Sequence, residues 1–225
     1  MRIGIVSDIH SNLFALEIVL EKLADLAPDM LACAGDIVGY GAHPNECCRK
    51  ISDEVDLAIE GNHDFAVRSN DTSRMNPYAA AAAVWTNEQL DEGSRTYLES
   101  LGPFGSLDAD GEQVSVHHGS DTDRDEYVYE DRVDPEILRR CSSAFVVLGH
   151  THVPFVRTFP AGMVINPGAI GQPRDGDPRA SYALLDTESR ACELMRVEYP
   201  VEEASEAILR AGLPMMLALR LSAGR

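Results

Sequence analysis

Strand, helix and strand alternate along the first sixty residues at the spacing of parallel βαβ units. Apolar runs at residues 2–7, 30–34 and 55–59 have the length of buried strands. The segments between them have apolar residues at helical spacing, and we predict that these helices begin at Ser11 and at about Pro44. Because parallel neighbouring strands need a crossover of this length, the pattern predicts a parallel sheet covered by helices.

After residue 102 the pattern changes to shorter strand-like runs. We predict strands at residues 104–107, 113–117, 144–148, 153–158, 163–165, 182–186 and 191–199. We predict further helices at residues 77–90, 94–101, 201–211 and 214–222. No long linker, repeat or low-complexity tract divides the chain, so we expect a single α/β domain over residues 1–225.

Residue types that commonly bind metals follow several of these apolar runs. They are Asp8, His10, Asp36, Asn62, His63, Asp64, His117, His118, His150 and His152. Loops beyond the carboxyl ends of parallel strands converge on one crevice, which favours a shared site. In an extended chain, residues two apart project to the same side, so we expect Asp8 to pair with His10, and His150 with His152.

Each of these fragments also has a purely structural interpretation. Asp8 could cap the helix that begins near Ser11, and Gly35-Asp36 could be an ordinary turn. The strings Gly61-Asn62-His63-Asp64 and Gly149-His150-Thr151-His152 are more specific. The occurrence of all these fragments in order, each at a predicted strand end, favours a functional site.

This ordered set closely resembles the calcineurin-like metallophosphoesterase superfamily. The matching motifs are Asp8-Ile9-His10, Gly35-Asp36, Gly61-Asn62-His63-Asp64, His118-Gly119 and Gly149-His150-Thr151-His152. Residues 35–41 and 166–179 further resemble the small, single-domain phosphodiesterases of bacteria and archaea. The resemblance implies a four-layer α/β sandwich, in which two mixed β-sheets are flanked by helices.

The resemblance also implies a dinuclear metal site in which two divalent ions share Asp36. One ion would be bound by Asp8, His10, Asp36 and His152, and the other by Asp36, Asn62, His118 and His150. Carboxylate, imidazole and amide ligands suit Mn²⁺, Fe²⁺, Zn²⁺ or Ni²⁺, with manganese as the leading candidate. Two such ions can clamp a phosphate and activate a bridging water, which supplies the hydroxide for in-line attack on phosphorus.

The resemblance implies that His63 acts on the substrate rather than on the metals. In this role it stabilises the transition state and protonates the leaving oxygen. Asp64 is a second catalytic candidate that either orients His63 or has a structural role, and both interpretations stay open. The family motif selects His118 as the ligand, and we expect the adjacent His117 to pack on the sheet or to make a supporting hydrogen bond.

Two further residues are candidate substrate ligands. Arg174 lies in a loop rich in Gly, Pro and Asp, where it could form a surface ion pair or donate to a second phosphate. Asn12 could contact the substrate phosphate, and capping the first helix is the alternative.

We therefore expect a metal-dependent phosphoesterase that hydrolyses small phosphodiesters or nucleotide-type phosphoanhydrides such as diadenosine polyphosphates. A phosphomonoesterase that uses the same metal site is the first alternative. A non-catalytic protein-binding scaffold of this fold is the second, and the presence of His63 with a full ligand set argues against it.

Charge and cysteine usage indicate the partners and the location. With a net charge of −18 and no basic stretch, the chain would repel a phosphate backbone, so we expect no stable nucleic-acid partner. No apolar run approaches the roughly 20 residues of a membrane helix. The five cysteines include no CxxC pair, which fits a reducing compartment, so we expect a cytoplasmic protein. The amphipathic residues 201–225 either pack on the core or form a homodimer contact.

Overall fold

The fold consists of ten strands and eight α-helices, and the computed structural model describes all 225 residues. The strands are β1 (Arg2–Val6), β2 (Met30–Cys33), β3 (Leu57–Ala58), β4 (Phe104–Ala109), β5 (Glu112–His117), β6 (Phe145–Val147), β7 (Phe155–Phe159), β8 (Gly162–Asn166), β9 (Ala180–Asp186) and β10 (Ala191–Val197). The helices are α1 (Leu13–Leu26), α2 (Pro44–Glu54), α3 (Asn62–Ser69), α4 (Pro77–Gln89), α5 (Glu92–Ser100), α6 (Glu136–Arg140), α7 (Val201–Arg210) and α8 (Met215–Ala223).

The strands form two mixed sheets of five strands each. The first sheet has the order β10-β9-β1-β2-β3, in which β1, β2 and β3 run parallel and β9 and β10 are antiparallel to their neighbours. The second has the order β4-β5-β6-β8-β7, in which β5, β6 and β8 run parallel. The predicted parallel βαβ units and the expected pair of mixed sheets flanked by helices are both confirmed.

An apolar layer lies between the two facing sheets. Phe145 and Val147 of β6 point into this layer and meet Ile3 and Ile5 of β1. Val146, between them, points to the opposite face and packs in a separate cluster with α6. Because successive side chains of a strand point to opposite faces, an uninterrupted apolar run marks a strand that is buried on both sides.

A second and larger apolar layer joins the first sheet to its helices. Helix α1 is capped by the Asn12 side chain, which accepts a backbone N–H of the first turn over 3.2 Å. Leu16 and Leu23 of this helix are fully buried in the layer. Ile208 of α7 and Leu217 of α8 belong to the same cluster. The C-terminal segment therefore packs on the core, and a homodimer contact stays a prediction.

The third strand and the helix after it differ from the sequence prediction. The strand predicted over residues 55–59 contains only two residues. The Asp56 carboxylate accepts the N–H of Leu31 at its start, and Ile59 at its end makes an isolated bridge to Gly102. Helix α3 is not predicted, because its first turn coincides with a motif whose polar residues carry no apolar periodicity.

None of the helices combines the length and the apolar character that a membrane-spanning helix requires.

Candidate metal centre

The candidate ligands lie in loops beyond the carboxyl ends of the central strands. The N–H groups of Asp8 and His10 donate to carbonyls of the loop after β2 over 3.0 and 2.9 Å, so these two loops run side by side. The backbone φ angles of Asp8, His10, Asp36, His150 and His152 lie between 49° and 64°. The extended geometry expected for the two Asp-x-His and His-x-His pairs is therefore wrong, although both pairs converge.

This left-handed backbone costs of the order of 1–3 kcal/mol at each residue with a side chain. Five candidate ligands nonetheless adopt it. Such residues persist only where the surrounding structure holds them, and they cluster at functional sites. The loop backbone therefore positions these side chains at a local energetic cost.

One group of potential ligand atoms comes from Asp8, His10, Asp36 and His152, and these atoms all lie within 4.8 Å of one another. Asp8 Oδ1 is 3.2 Å from His152 Nε2, and Asp36 Oδ2 is 3.6 Å from His10 Nε2. All four residues are buried. Two carboxylates and two imidazoles thus face one small volume.

A second group contains Asp36, His118 and His150 and satisfies the same 4.8 Å limit. His118 Nε2 lies 3.3 Å from Asp36 Oδ2 and 3.1 Å from Asn62 Oδ1. The structure therefore brings together all seven residues that the sequence singles out as ligands. Asp36 belongs to both groups, which places it between two possible cation positions.

Backbone carbonyls fix the orientation of three of the imidazoles. The Nδ1 atoms of His10, His118 and His152 lie 3.2, 2.7 and 2.6 Å from the carbonyl oxygens of Val38, Ala34 and Gln172, respectively. Because a carbonyl oxygen only accepts, each Nδ1 carries the proton and donates. In the neutral ring the lone pair of Nε2 then faces the shared volume, as in metal-binding histidines.

Several buried polar atoms in this volume have no hydrogen-bond partner. They include Asp8 Oδ1, Asp36 Oδ2 and His150 Nε2. An unpaired buried polar atom costs about 1–3 kcal/mol, and more when it carries charge. Cations held by the two ligand groups would satisfy these three atoms, so this donor set fits divalent transition-metal ions.

The carboxylates of Asp8 and Asp36 stay ionised because histidines lie next to them. Burial opposes ionisation of Asp8 and Asp36, but the adjacent His152 and His118 lower the pKa of each carboxyl below its usual range. For His118, burial is outweighed by Asp36, and its pKa rises to about 10. Burial lowers the pKa of His150 to about 3. Without a metal the protein thus places anionic oxygens, the neutral His150 imidazole and a protonated His118 at the site, and a cation would displace the His118 Nε2 proton.

His63 lies beside the ligand groups and belongs to neither. Its ring centroid is 4.8 Å from that of His10 and 4.4 Å from that of Tyr40. Its Nδ1 is buried and has no hydrogen-bond partner. Burial lowers the pKa of His63 to about 4, so the ring is neutral at pH 7 and offers one N–H donor. An anion beside it would be needed to raise its proton affinity.

Asp64 does not contact the His63 imidazole. Its carboxylate accepts the N–H groups of Val38 and Gly61 over 3.0 and 2.9 Å. Burial, with the nearby Asp36, raises its pKa to about 7. Of the two interpretations left open by the sequence, these contacts favour the structural one, in which Asp64 ties the start of α3 to the loop after β2.

Both polar atoms of the Asn12 side chain have partners within the protein. Its Oδ1 caps α1, and its Nδ2 donates to the carbonyl of Gly171 over 3.0 Å. These contacts support the capping interpretation, while the second N–H of Nδ2 remains available and the contact with substrate phosphate stays a prediction.

Arg174 is not part of a surface ion pair. Its guanidinium donates to the Tyr40 hydroxyl over 3.3 Å and to the Gln172 side-chain oxygen over 3.4 Å. The carboxylates of its own loop bind other arginines, Asp177 with Arg179 and Asp175 with Arg196. Arg174 thus keeps donors available near the ligand groups.

Three further residues lie around the ligand groups: His117, Tyr40 and Tyr127. His117 lies outside both ligand groups, with its Nε2 2.7 Å from the Ser115 hydroxyl. Sequence reasoning assigned no role to Tyr40 or to Tyr127, whose rings lie 4.5 Å from His10 and 4.1 Å from His150. Tyr40 falls within a recognised motif, whereas nothing in the local pattern around Tyr127 indicates its position.

Comparisons with known proteins agree with this geometry. A family model described as the calcineurin-like phosphoesterase superfamily domain matches residues 1–190. The uncharacterized protein MJ0912 of Methanocaldococcus jannaschii is 36% identical, and the match covers 99% of this chain and 98% of that protein. Phosphodiesterase YfcE of Escherichia coli is 27% identical, with 84% of this chain and 89% of YfcE covered.

Solved structures show the same relationship. The crystal structure of a metallophosphoesterase from Sphaerobacter thermophilus superimposes with a TM-score of 0.87 at 37% identity, covering 100% of this chain and 99% of that one.

Proposed function

We propose that this chain, which belongs to the calcineurin-like phosphoesterase superfamily and is a phosphoester hydrolase, acts through two divalent metal ions on small phosphodiesters or nucleotide-type phosphoanhydrides. The observation that carries the proposal is the pair of buried ligand groups that share Asp36. The predicted preference for manganese rests on the donor types, which suit Mn²⁺, Fe²⁺, Zn²⁺ and Ni²⁺ alike.

The ligands divide between two ions as the resemblance implies. Asp8, His10, Asp36 and His152 would hold one ion, and Asp36, Asn62, His118 and His150 the other. When bound, such ions supply Lewis-acid polarisation of a phosphoryl oxygen and an activated water as nucleophile. The protein orients their ligands through the carbonyls that fix each Nδ1 proton.

His63 is the proposed catalytic residue outside the metal ligands. Its neutral imidazole offers an N–H donor next to the ligand groups, and an anionic phosphate beside it would raise its pKa. In that state it can stabilise negative charge on the leaving oxygen and pass a proton to it. Asp64 supports this indirectly by fixing the helix on which His63 lies.

Arg174 is the proposed substrate ligand. Its guanidinium donates to the hydroxyl of Tyr40, whose ring contacts His10 and His63, and its charge lowers the pKa of His63 and His152 after the larger effect of burial. A planar guanidinium suits bidentate recognition of phosphate. This favours a substrate that carries anionic oxygens beyond the group being hydrolysed, and thus a phosphoanhydride, or a diester that bears a further phosphate, over a compact monoester.

The experiment that tests the reaction is a three-substrate assay of the Mn²⁺-loaded protein. The substrates are bis(p-nitrophenyl) phosphate, p-nitrophenyl phosphate and diadenosine tetraphosphate. We expect hydrolysis of the diester or the anhydride to exceed that of the monoester. The opposite order would favour the phosphomonoesterase alternative, and inactivity on all three would favour the non-catalytic scaffold.

The proposed setting is the cytoplasm, with a small phosphate ester as the only required partner. Five cysteines without a disulfide support a reducing compartment. We propose no nucleic-acid or membrane partner.

A further inference from the structure

A cavity of about 660 Å³ opens directly beside the candidate metal centre. Tyr40, Tyr127 and Thr151 line its inner end, and the first two of these contact the rings of His10 and His150. This volume lies within the range of small-molecule binding sites. The cavity therefore adjoins the metal centre at these residues.

The side chains that line this cavity are positively charged, whereas the chain as a whole is strongly negative. It contains Arg174, Arg220 and Arg225 and not one acidic residue, although the net charge is −18. Most other arginines form ion pairs with carboxylates, whereas these three do not. Unpaired guanidinium groups in an acidic protein attract anions with more than one charged oxygen.

The same cavity also offers an aromatic and apolar surface. The rings of Tyr127 and Tyr129 are stacked, with centroids 6.2 Å apart and an interplanar angle of 16°. They remain 48% and 40% exposed. Met216 and Leu219 of α8, also exposed, line the cavity with them. A planar heteroaromatic ring can stack on such a surface with little dependence on its identity.

Helix α8 supplies one whole side of this cavity, and it lies beyond residues 1–190, which the family model matches. Its contribution consists of three apolar side chains, Met216, Leu219 and Ala223, and of Arg220, with Arg225 just beyond the helix. The wall that combines apolar surface with positive charge is thus added to the matched domain.

We propose that this cavity binds the base and a second phosphoryl group of a nucleotide whose scissile phosphate lies at the metal centre. The base stacks at Tyr127 and Tyr129, and the additional phosphoryl group accepts from Arg174 and Arg220. The proposal rests on the proposed function for the reaction, but it concerns binding and is tested by affinity rather than by reaction rate.

The test is isothermal titration calorimetry of the Mn²⁺-loaded protein with ADP, AMP and inorganic pyrophosphate. AMP has the base without a second phosphoryl group, and pyrophosphate has the phosphoryl groups without the base. We expect ADP to bind about tenfold more tightly than either, because both stacking and a charged hydrogen bond contribute at least about that factor.

Variants separate the two contributions. Arg220→Gln should lower the affinity for ADP towards that for AMP, and Tyr129→Leu should lower it towards that for pyrophosphate. Tyr129 is preferred to Tyr127 because Tyr127 also contacts His150. The matched control is Arg210→Gln on α7, where Arg210 is paired with Glu206 and is 69% exposed, and it should bind ADP like the wild type.

The proposal is overturned if ADP binds no more tightly than pyrophosphate, or if Arg220→Gln binds ADP as tightly as the wild type does. A failure of the proposed function looks different. In that case ADP binds as expected and the variants weaken it, while bis(p-nitrophenyl) phosphate and diadenosine tetraphosphate are not hydrolysed.

Discussion

At the scale of single residues, a substitution at His63 tests the catalytic step without removing a metal ligand. It lies beside both ligand groups without belonging to either. We predict that His63→Asn lowers kcat on bis(p-nitrophenyl) phosphate by about 10²–10⁴-fold, the usual contribution of a positioned general acid. Metal content, measured by mass spectrometry after gel filtration, should equal that of the wild type.

Wild-type activity in this variant would refute the role of His63. Loss of metal together with loss of activity would instead make it a structural support of the ligand loops.

The cysteines are predicted to be structural rather than reactive. Burial raises the pKa of Cys33, Cys47 and Cys48, and it raises that of Cys192 to about 12. A raised thiol pKa means that little thiolate, the reactive form, exists at pH 8. With Ellman's reagent at pH 8 we expect slow reaction of the native protein and rapid reaction of five thiols in guanidinium chloride. A thiol that reacts within seconds in the native protein would contradict this prediction.

Residue identity was easier to predict than residue role. The ligand types and their order indicate a metal site, and the structure brings all seven together. The cap made by Asn12 follows from its place before α1, but its bond to Gly171 and the contacts of Asp64 could not be predicted, because they depend on which backbone N–H and carbonyl groups the folded loops leave unpaired. Arg174 likewise differs from Arg179 only in whether a carboxylate lies within reach.

At the scale of elements, the site depends on how closely the start of α3 approaches the loop after β2. A Cβ added at Gly61 would lie 2.1 Å from Asp36 Oδ1 and 2.3 Å from the Asp36 backbone nitrogen. We therefore predict that Gly61→Ala displaces Asp36 and weakens metal binding at least tenfold, measured by titration of the metal-free protein with Mn²⁺.

Gly93→Ala is the matched control for this substitution. Gly93 lies in α5, and its added Cβ would meet no atom closer than 3.6 Å. In a helix, alanine is favoured over glycine by about 0.5–1 kcal/mol, so this variant should bind metal normally and be slightly more stable. Equal metal affinity in the two variants would show that the close approach at Gly61 is not required.

Elements with a regular apolar pattern were predictable, whereas irregular ones were not. The run around Phe145 identifies β6, since both faces of that strand are buried. Helix α3 begins with three polar residues that serve the site and the cap, so local periodicity cannot reveal it. The same reason hides the left-handed residues of the ligand loops, whose conformation is imposed by neighbouring backbone.

At the scale of the whole molecule, metal binding should contribute to stability. The carboxylates of Asp8 and Asp36 are fully buried, and each has an oxygen without a hydrogen-bond partner. A ligand present at 100 times its Kd stabilises a fold by about 2.7 kcal/mol. We predict that removing the metals with EDTA lowers the Tm by at least about 5 °C, measured by calorimetry.

Asp36→Asn is the control, because it removes the carboxylate shared by both ligand groups. Its Tm should respond little to EDTA. An unchanged wild-type Tm after chelation would contradict the idea that cations satisfy the buried oxygens.

The net charge of −18 belongs to the surface of the molecule, while the cavity beside the metal centre is lined by arginines and not by acids. Composition could therefore indicate which large partners are excluded. It could not indicate the positive charge of this cavity, because the residues that line the cavity come from segments far apart in the sequence.

The central claim is that two metal ions held by these seven residues carry out phosphoester hydrolysis. The most direct measurement is a titration of the metal-free protein with Mn²⁺, following bound metal and hydrolysis of bis(p-nitrophenyl) phosphate in the same samples. We predict negligible activity without metal and a rise that saturates at about two ions per chain. Full activity in the metal-free protein, or no activity when two ions are bound, would contradict the account.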